Sequence, residues 1–194
     1  MPEYRHIYVP GGTFFITLVT YQRKPLFSNP ENISKLRHAV ATVRSEMPFE
    51  IVGAVILPNH IHFLWTLPAD DLAYSKRVGR LKVLFTQSLR GKGRLHKNIS
   101  SSRAKHRESD VWHRRFWEHT IRNEADFERH LEYIHYNRVK QGFVSCPHLW
   151  KYSSFDRWVQ KGMYKNDWCC GCCSQELAVP DFIGISEKAG SEED

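Results

Sequence analysis

Two histidines one residue apart, His60 and His62, are the first pair in this 194-residue chain whose types and spacing suit chemistry. In an extended strand, side chains two apart share a face, so both imidazoles project together while Ile61 and Phe63 point the other way. Two imidazoles side by side on a rigid sheet make half of a divalent metal site. A lone His-x-His more often marks two half-buried, hydrogen-bonded histidines, so the rest of the chain decides. Downstream, Asp126, His130, Tyr133 and Asn137 recur at spacings of 4, 3 and 4, one face of a helix. If that helix packs near the histidines, Asn137 supplies an oxygen ligand and Tyr133 a hydroxyl beside the cation. A mixed nitrogen and oxygen set with open positions suits Mg²⁺ or Mn²⁺ engaged with a phosphate. A tyrosine is a poor nucleophile because its ordinary pKa is about 10, and a nearby cation favours the phenolate. Tyr136, about 60° around the helix, is the rival nucleophile.

The elements that must position these groups are legible in order. Residues 51–57 are an apolar, β-branched run, Pro58 and Asn59 break it, and 61–67 resume it, which reads as a hairpin with His60 and His62 at the start of its second strand. Residues 13–21 (TFFITLVTY) are a strand. Asn29 offers an N-cap, Pro30 the first helical position, and Ile33, Leu36, Val40, Val43 and Met47 an apolar stripe. A second helix over about 72–90 carries Val78, Leu81, Phe85 and Leu89 on one face and Lys76, Arg77, Arg80, Lys82 and Arg90 on the other. Residues 116–122 are a strand. Asn123 then caps a third helix, with Asp126 placed to complete a capping box and Gly142 to end it. A loop and short helix over 143–168 are packed by Trp150, Phe155, Trp158 and Trp168. The order strand, helix, strand, strand, helix, strand, helix predicts an α+β, ferredoxin-like (RRM-like) sandwich, a four-stranded antiparallel sheet with helices on one face. Residues 1–168 form one domain in this reading, and 169–194 a cysteine cluster and acidic tail.

The charge is unevenly spread. The formal net charge is +7, and residues 174–194 hold six acids against one base, which leaves +12 on residues 1–173. A body that basic suggests a polyanionic partner, most simply nucleic acid. Nine bases fall within 90–115, beside glycines and a serine run, as in a basic loop that could track a phosphate backbone. The acidic tail could fold over that basic groove, in which case truncation near residue 173 raises DNA affinity at low salt. No apolar run approaches the roughly 20 residues of a membrane span, and the first residues lack a signal peptide's apolar stretch. A cytoplasmic, nucleoid-associated protein with no membrane partner is the expectation. Four of the five cysteines, Cys169, Cys170, Cys172 and Cys173, are too crowded for an ordinary disulfide framework. They hold overlapping C-x-x-C pairs, for which Cys146 and His148 are the only nearby partners that could complete a zinc site.

Together these residues resemble the REP-associated tyrosine transposases, a branch of the single-tyrosine HUH transposases. The resemblance rests on His60-Ile61-His62 within LPNHIHFLW and on Tyr133-Ile134-His135-Tyr136-Asn137. It rests further on the opening EYRHIYVPGGTFFIT, on residues 115–122 (RFWEHTIR) and on 150–155 (WKYSSF). It covers about residues 3–158. It implies that Tyr133 attacks a scissile phosphate in single-stranded DNA, forming a 5′-phosphotyrosine linkage and releasing a 3′-OH. It implies His60, His62 and Asn137 as ligands of Mg²⁺ or Mn²⁺, and hairpins of palindromic repeats as the substrate, handled by a monomer. Arg5, His6, Lys82, Arg114, Arg115 and Arg122 would hold the DNA. Where the family has proline after the asparagine, this chain has Arg138, so the helix should run further and Arg138 could reach a phosphate. Two other readings compete. A protein of the same fold could bind structured single-stranded nucleic acid without chemistry. A zinc hydrolase built on His60 and His62 would need Glu118 or His119 as a further ligand.

Overall fold

The computed structural model describes residues 10–90, 110–172 and 185. Strands β1 (Thr13–Val19), β2 (Glu50–Ile56), β3 (His60–Thr66) and the short β4 (Trp117–Thr120) form one antiparallel sheet in the order β2-β3-β1-β4. Helix α1 (Pro30–Glu46) joins β1 to β2, and α2 (Tyr74–Arg90) leads from β3 toward β4. Helix α3 (Glu124–Lys140) follows β4, and the short α4 (Phe155–Gln160) comes last. The start of α1 is as its sequence dictates, with the Asn29 side chain accepting from the Glu31 N–H and Pro30 inside the first turn. Among the described residues no helix is long and apolar enough to cross a membrane.

Alternation along β1 and β3 divides the molecule into two halves. Ile16 pairs with Phe63 and Leu18 with Ile61, and these side chains face α1 and α2. There Ile33, Leu36 and Val43 of α1 and Val78, Leu81 and Phe85 of α2 close the larger apolar core. Phe15 and Leu64, on the other alternation of β1 and β3, and Val55 of β2 face Leu131, Tyr133 and Ile134 of α3. The four-stranded antiparallel α+β sandwich is therefore as expected. Its helices on one face are α1 and α2 only; α3 covers the opposite face. The cause lies in Phe15 of β1 and Leu64 of β3, apolar side chains on the face opposite α1 and α2, where they lie buried beside Thr17, His60 and His62, so that this face too is covered rather than left to water. An apolar stripe on α3 reveals that it packs but not on which side. Gly53 brings α3 down onto β2, since a Cβ there would stand 2.9 Å from Leu131 Cδ1 and 3.2 Å from Ile134 Cδ1.

Both ends of α3 are fixed by local bonds. The Asn123 side chain accepts from the Asp126 N–H at 2.9 Å. The Asp126 carboxylate does not close the expected box; it accepts from the Arg122 N–H, one residue before the cap, at 3.0 Å. At the other end the Gly142 N–H bonds to the Val139 carbonyl and the Phe143 N–H to the Arg138 carbonyl, with Gly142 at φ +71°. This is the paired closure that a left-handed glycine permits. With Arg138 in place of proline the helix runs on to Lys140, as the sequence implies.

Candidate active site

The sheet presents His60 and His62 side by side, their ring centroids 5.0 Å apart and nearly perpendicular. Each ring is oriented through Nδ1. Thr17, directly across the ladder on β1, is hydrogen bonded to His62 Nδ1 at 2.8 Å, and the neighbouring Asn59 Oδ1 lies 2.6 Å from His60 Nδ1. A ring fixed at Nδ1 presents Nε2 to whatever lies above the sheet. Burial, then the proximity of His60, pushes the His62 pKa well below its ordinary value. The ring is thus neutral, the form in which imidazole binds a cation.

Helix α3 lies above these rings. The Tyr133 ring is 5.2 Å from that of His62, and Asn137 Nδ2, one turn on, is 3.4 Å from His62 Nε2. Asn137 is 1% exposed, and its Oδ1 finds no hydrogen-bond partner among the described residues. A buried carbonyl oxygen without a donor is costly. A half-turn of the amide exchanges its oxygen and nitrogen beside His62. Two oriented imidazoles and an unpartnered amide oxygen thus fit a small divalent cation. Phe15 forms the floor, its ring 5.4 Å from His62, 5.8 Å from Tyr133 and 4.9 Å from His130.

The helix separates the two candidate nucleophiles. Tyr136 turns away from the histidines toward Trp168, 6.4 Å between ring centroids, and burial followed by the nearby Cys169 raises its pKa. Of the two, only Tyr133 lies against His62.

The other expected residues are distributed less simply. Arg5 and His6 lie outside the described residues. Arg114, Arg115 and Arg122 are exposed. Lys82 is half-buried: its ammonium donates to the carbonyls of His113 (2.9 Å) and Arg114 (3.3 Å), and burial lowers its pKa to about 8. Most of the basic face of α2 is similarly engaged. Arg77 is 2% exposed and pairs with Asp71 at 2.5 Å, Arg80 pairs with Glu46, and Arg90 with Asp110. Arg138 is 1% exposed, its guanidinium sandwiched 3.7 Å from the ring centroids of Phe143 and Trp150, and burial lowers its pKa to about 10. Glu118 points to the α1/α2 side, where it accepts a bond from the Tyr74 hydroxyl at 2.9 Å. It is therefore removed from the histidines as a ligand. The basic 91–109 segment and most of the acidic tail lie outside the described residues. Ile185 is described, and it packs in the same cluster as Tyr133.

Sequence reasoning did not single out Thr17 or Asn59 as partners of the histidines, and it placed Asp126 and His130 on the Tyr133 face without joining them to His119. There His119 Nε2 is 2.8 Å from Asp126 Oδ2, and its ring stacks 4.5 Å from that of His130. Two groups among the described residues bring three metal-ligating atoms within 4.8 Å of one another: His119, Asp126 and His130, and Cys146, His148 and Cys170.

Known proteins resemble this chain in sequence and in fold. The family model described as transposase IS200 like matches residues 10–137. The chain is 41% identical over 168 residues to a Haemophilus influenzae protein assigned to the REP-associated tyrosine transposases, a match covering 87% of this chain and 93% of that one. It is 38% identical over 168 residues to the REP-associated tyrosine transposase of Escherichia coli K12, covering 87% and 91%. A solved structure of a REP-associated tyrosine transposase bound to a REP hairpin superposes with a TM-score of 0.73 at 35% identity, over 94% of this chain and 99% of that one.

Proposed function

The chain belongs to the IS200-like transposase family, and from that premise we propose that it cuts and rejoins single-stranded hairpin DNA through a covalent bond to Tyr133. The observation that carries the proposal is the meeting of β3 and α3 within one chain, with Tyr133 5.2 Å from His62 and Asn137 one turn beyond. One copy supplies the whole set, in keeping with a monomer. His60, His62 and Asn137 would hold Mg²⁺ or Mn²⁺. When bound there, such an ion supplies positive charge that polarises a phosphodiester and offsets the charge of the transition state.

Tyr133 gives up its phenolic proton to solvent, which returns one to the departing O3′, and its oxygen attacks the scissile phosphorus. The Tyr–O–P bond forms as the P–O3′ bond breaks, leaving a 5′-phosphotyrosine and a free 3′-OH. The exchange conserves one phosphodiester, so rejoining needs no nucleotide energy source. Thr17 and Asn59 keep the imidazoles oriented, and Phe15 excludes water from below. Arg114, Arg115 and Arg122 hold the phosphate backbone, with Arg5 and His6. The substrate is a hairpin of a palindromic repeat, by analogy with the REP hairpin in the superposed structure.

The test is a labelled single-stranded repeat hairpin incubated with the protein and Mg²⁺ or Mn²⁺. Scission that leaves a free 3′-OH, a blocked 5′ end and full sensitivity to EDTA is expected. A hairpin that is bound tightly but remains intact under every metal condition would instead make the chain a binding protein of this fold.

A further inference from the structure

Outside the Tyr133 site, the described residues converge on a second set of donors where the segment after α3 meets the chain end. We propose that Cys146, His148, Cys170 and Cys172 form a structural zinc site. Cys146 Sγ lies 3.0 Å from Cys172 Sγ, and Cys170 Sγ lies 3.5 Å from His148 Nδ1. The donor atoms of Cys146, His148 and Cys170 all fall within 4.8 Å of one another. A tetrahedral zinc, with bonds of about 2.3 Å to sulfur and 2.0 Å to nitrogen, sets its donors roughly 3.5–3.8 Å apart. The Cys170–His148 distance already matches, whereas Cys172 stands outside the 4.8 Å group and its sulfur has to swing inward on the exposed chain end as the Cys146–Cys172 pair opens by less than about 1 Å. His148 Nδ1 also lies 3.1 Å from the Asn166 carbonyl, a bond that zinc would replace.

The spacing differs from the overlapping C-x-x-C pairs suggested by the sequence. The site uses Cys146-x-His148 and Cys170-x-Cys172, while Cys169, at φ +51°, lies on the Tyr136 side. A disulfide could join two of these sulfurs but would leave a third thiol and an imidazole in place without a reason. Three thiolates and one imidazole fill a closed tetrahedron with no open position, which is the structural and not the catalytic pattern.

The backbone around the donors is already joined. The Gly171 N–H donates to the Ser145 carbonyl at 2.7 Å, and Trp168 packs 4.5 Å from Tyr164 and 6.4 Å from Tyr136 of α3. Zinc at this seam would brace the back of the helix that carries Tyr133 and Asn137. It would also extend the folded domain through Cys172, beyond residue 168.

Metal analysis of the full chain, purified from zinc-replete cells under reducing conditions, tests the proposal. About one zinc per chain is expected, retained when His60 and His62 are both replaced by alanine. Cys146→Ser and Cys172→Ser should lose the metal and lower the melting temperature by about 5 °C or more, while Cys169→Ser keeps both. If the cysteine variants do not fold, Co²⁺ exchange into the unaltered protein decides. Thiolate-to-cobalt and tetrahedral ligand-field bands support the site, and their absence overturns it. Protein purified without zinc, a Cys146–Cys172 disulfide found under reducing conditions, or zinc lost in the His60/His62 double variant also overturns it.

Discussion

His62 and Phe63 are neighbours on β3 and point into opposite halves of the molecule. Phe63 enters a half closed by α1 and α2, in which the buried strand positions are apolar except for Glu118 of β4. His62 enters the half under α3, which holds all the buried histidines among the described residues: His60, His62, His130 and His135. One half buries surface to hold the sheet rigid; the other uses that rigidity to fix ring orientations within hydrogen-bond distances. A loop could not hold two imidazoles and a tyrosine on another element in this register. The division predicts that stability and chemistry can be damaged separately.

The largest separation is expected between the two neighbours. His62→Ala should abolish cutting, with a loss on the order of 10³-fold or more, while leaving a cooperative fold. Phe63→Ala should cost roughly 3–5 kcal/mol of stability, and the surviving folded fraction should still cut. Denaturant melts read beside single-turnover cleavage check both, and a Phe63→Ala protein that is stable but inactive would break the division. Next in size is Thr17→Val, which keeps the shape of β1 but frees His62 Nδ1. Metal affinity should fall about 10–100-fold, read as a rise in the Mn²⁺ concentration needed for half-maximal cleavage at saturating DNA. Gly53→Val should be milder. It pushes on Leu131 and Ile134, tilts α3 away from β3, and lowers the cleavage rate more than it lowers DNA binding.

Acid should also act on one half first. Burial, then the nearby Arg157, lowers the His135 pKa to about 3, whereas the unfolded imidazole titrates near its ordinary value of about 6.5. A depressed histidine pKa means the unfolded chain binds the extra proton. Its contribution is therefore full above about pH 6.5 and is lost as pH falls from there toward 3, by up to about 1.4 kcal/mol per pH unit. Because the buried histidines lie on the α3 side, amide protection measured relative to the intrinsic exchange rate at each pH should fall in α3 before it does in α1 between pH 7 and 4. An equal loss of protection in both helices would remove this part of the comparison.

Much of this was legible in the sequence, for local reasons. The hairpin around Pro58 and Asn59, the cap at Asn29, the stop at Gly142 and the Tyr133–Asn137 turn depend on residues within one or two turns of each other. The side of the sheet taken by α3 depends on Phe15 and Leu64, apolar residues on the face opposite α1 and α2, and becomes apparent only once the strands are ordered. Thr17 was not visible as a partner of His62 because 45 residues separate them, and only the β1–β3 register joins them. The basic face of α2 was misleading for a similar reason. Arg77, Arg80 and Lys82 look free for phosphates until Asp71, Glu46 and the carbonyls of residues 113–114 are brought beside them. The cysteines could be counted but not paired until residues 145–148 and 166–172 were placed together.

The most direct test of the central claim is to trap the covalent intermediate and locate it. The protein is incubated with a hairpin carrying a single scissile phosphate, digested, and the nucleotide-bearing peptide sequenced by mass spectrometry. The account predicts the 5′-phosphoryl adduct on Tyr133, absent in Tyr133→Phe and in EDTA. An adduct on Tyr136, or undiminished adduct in Tyr133→Phe, would contradict it.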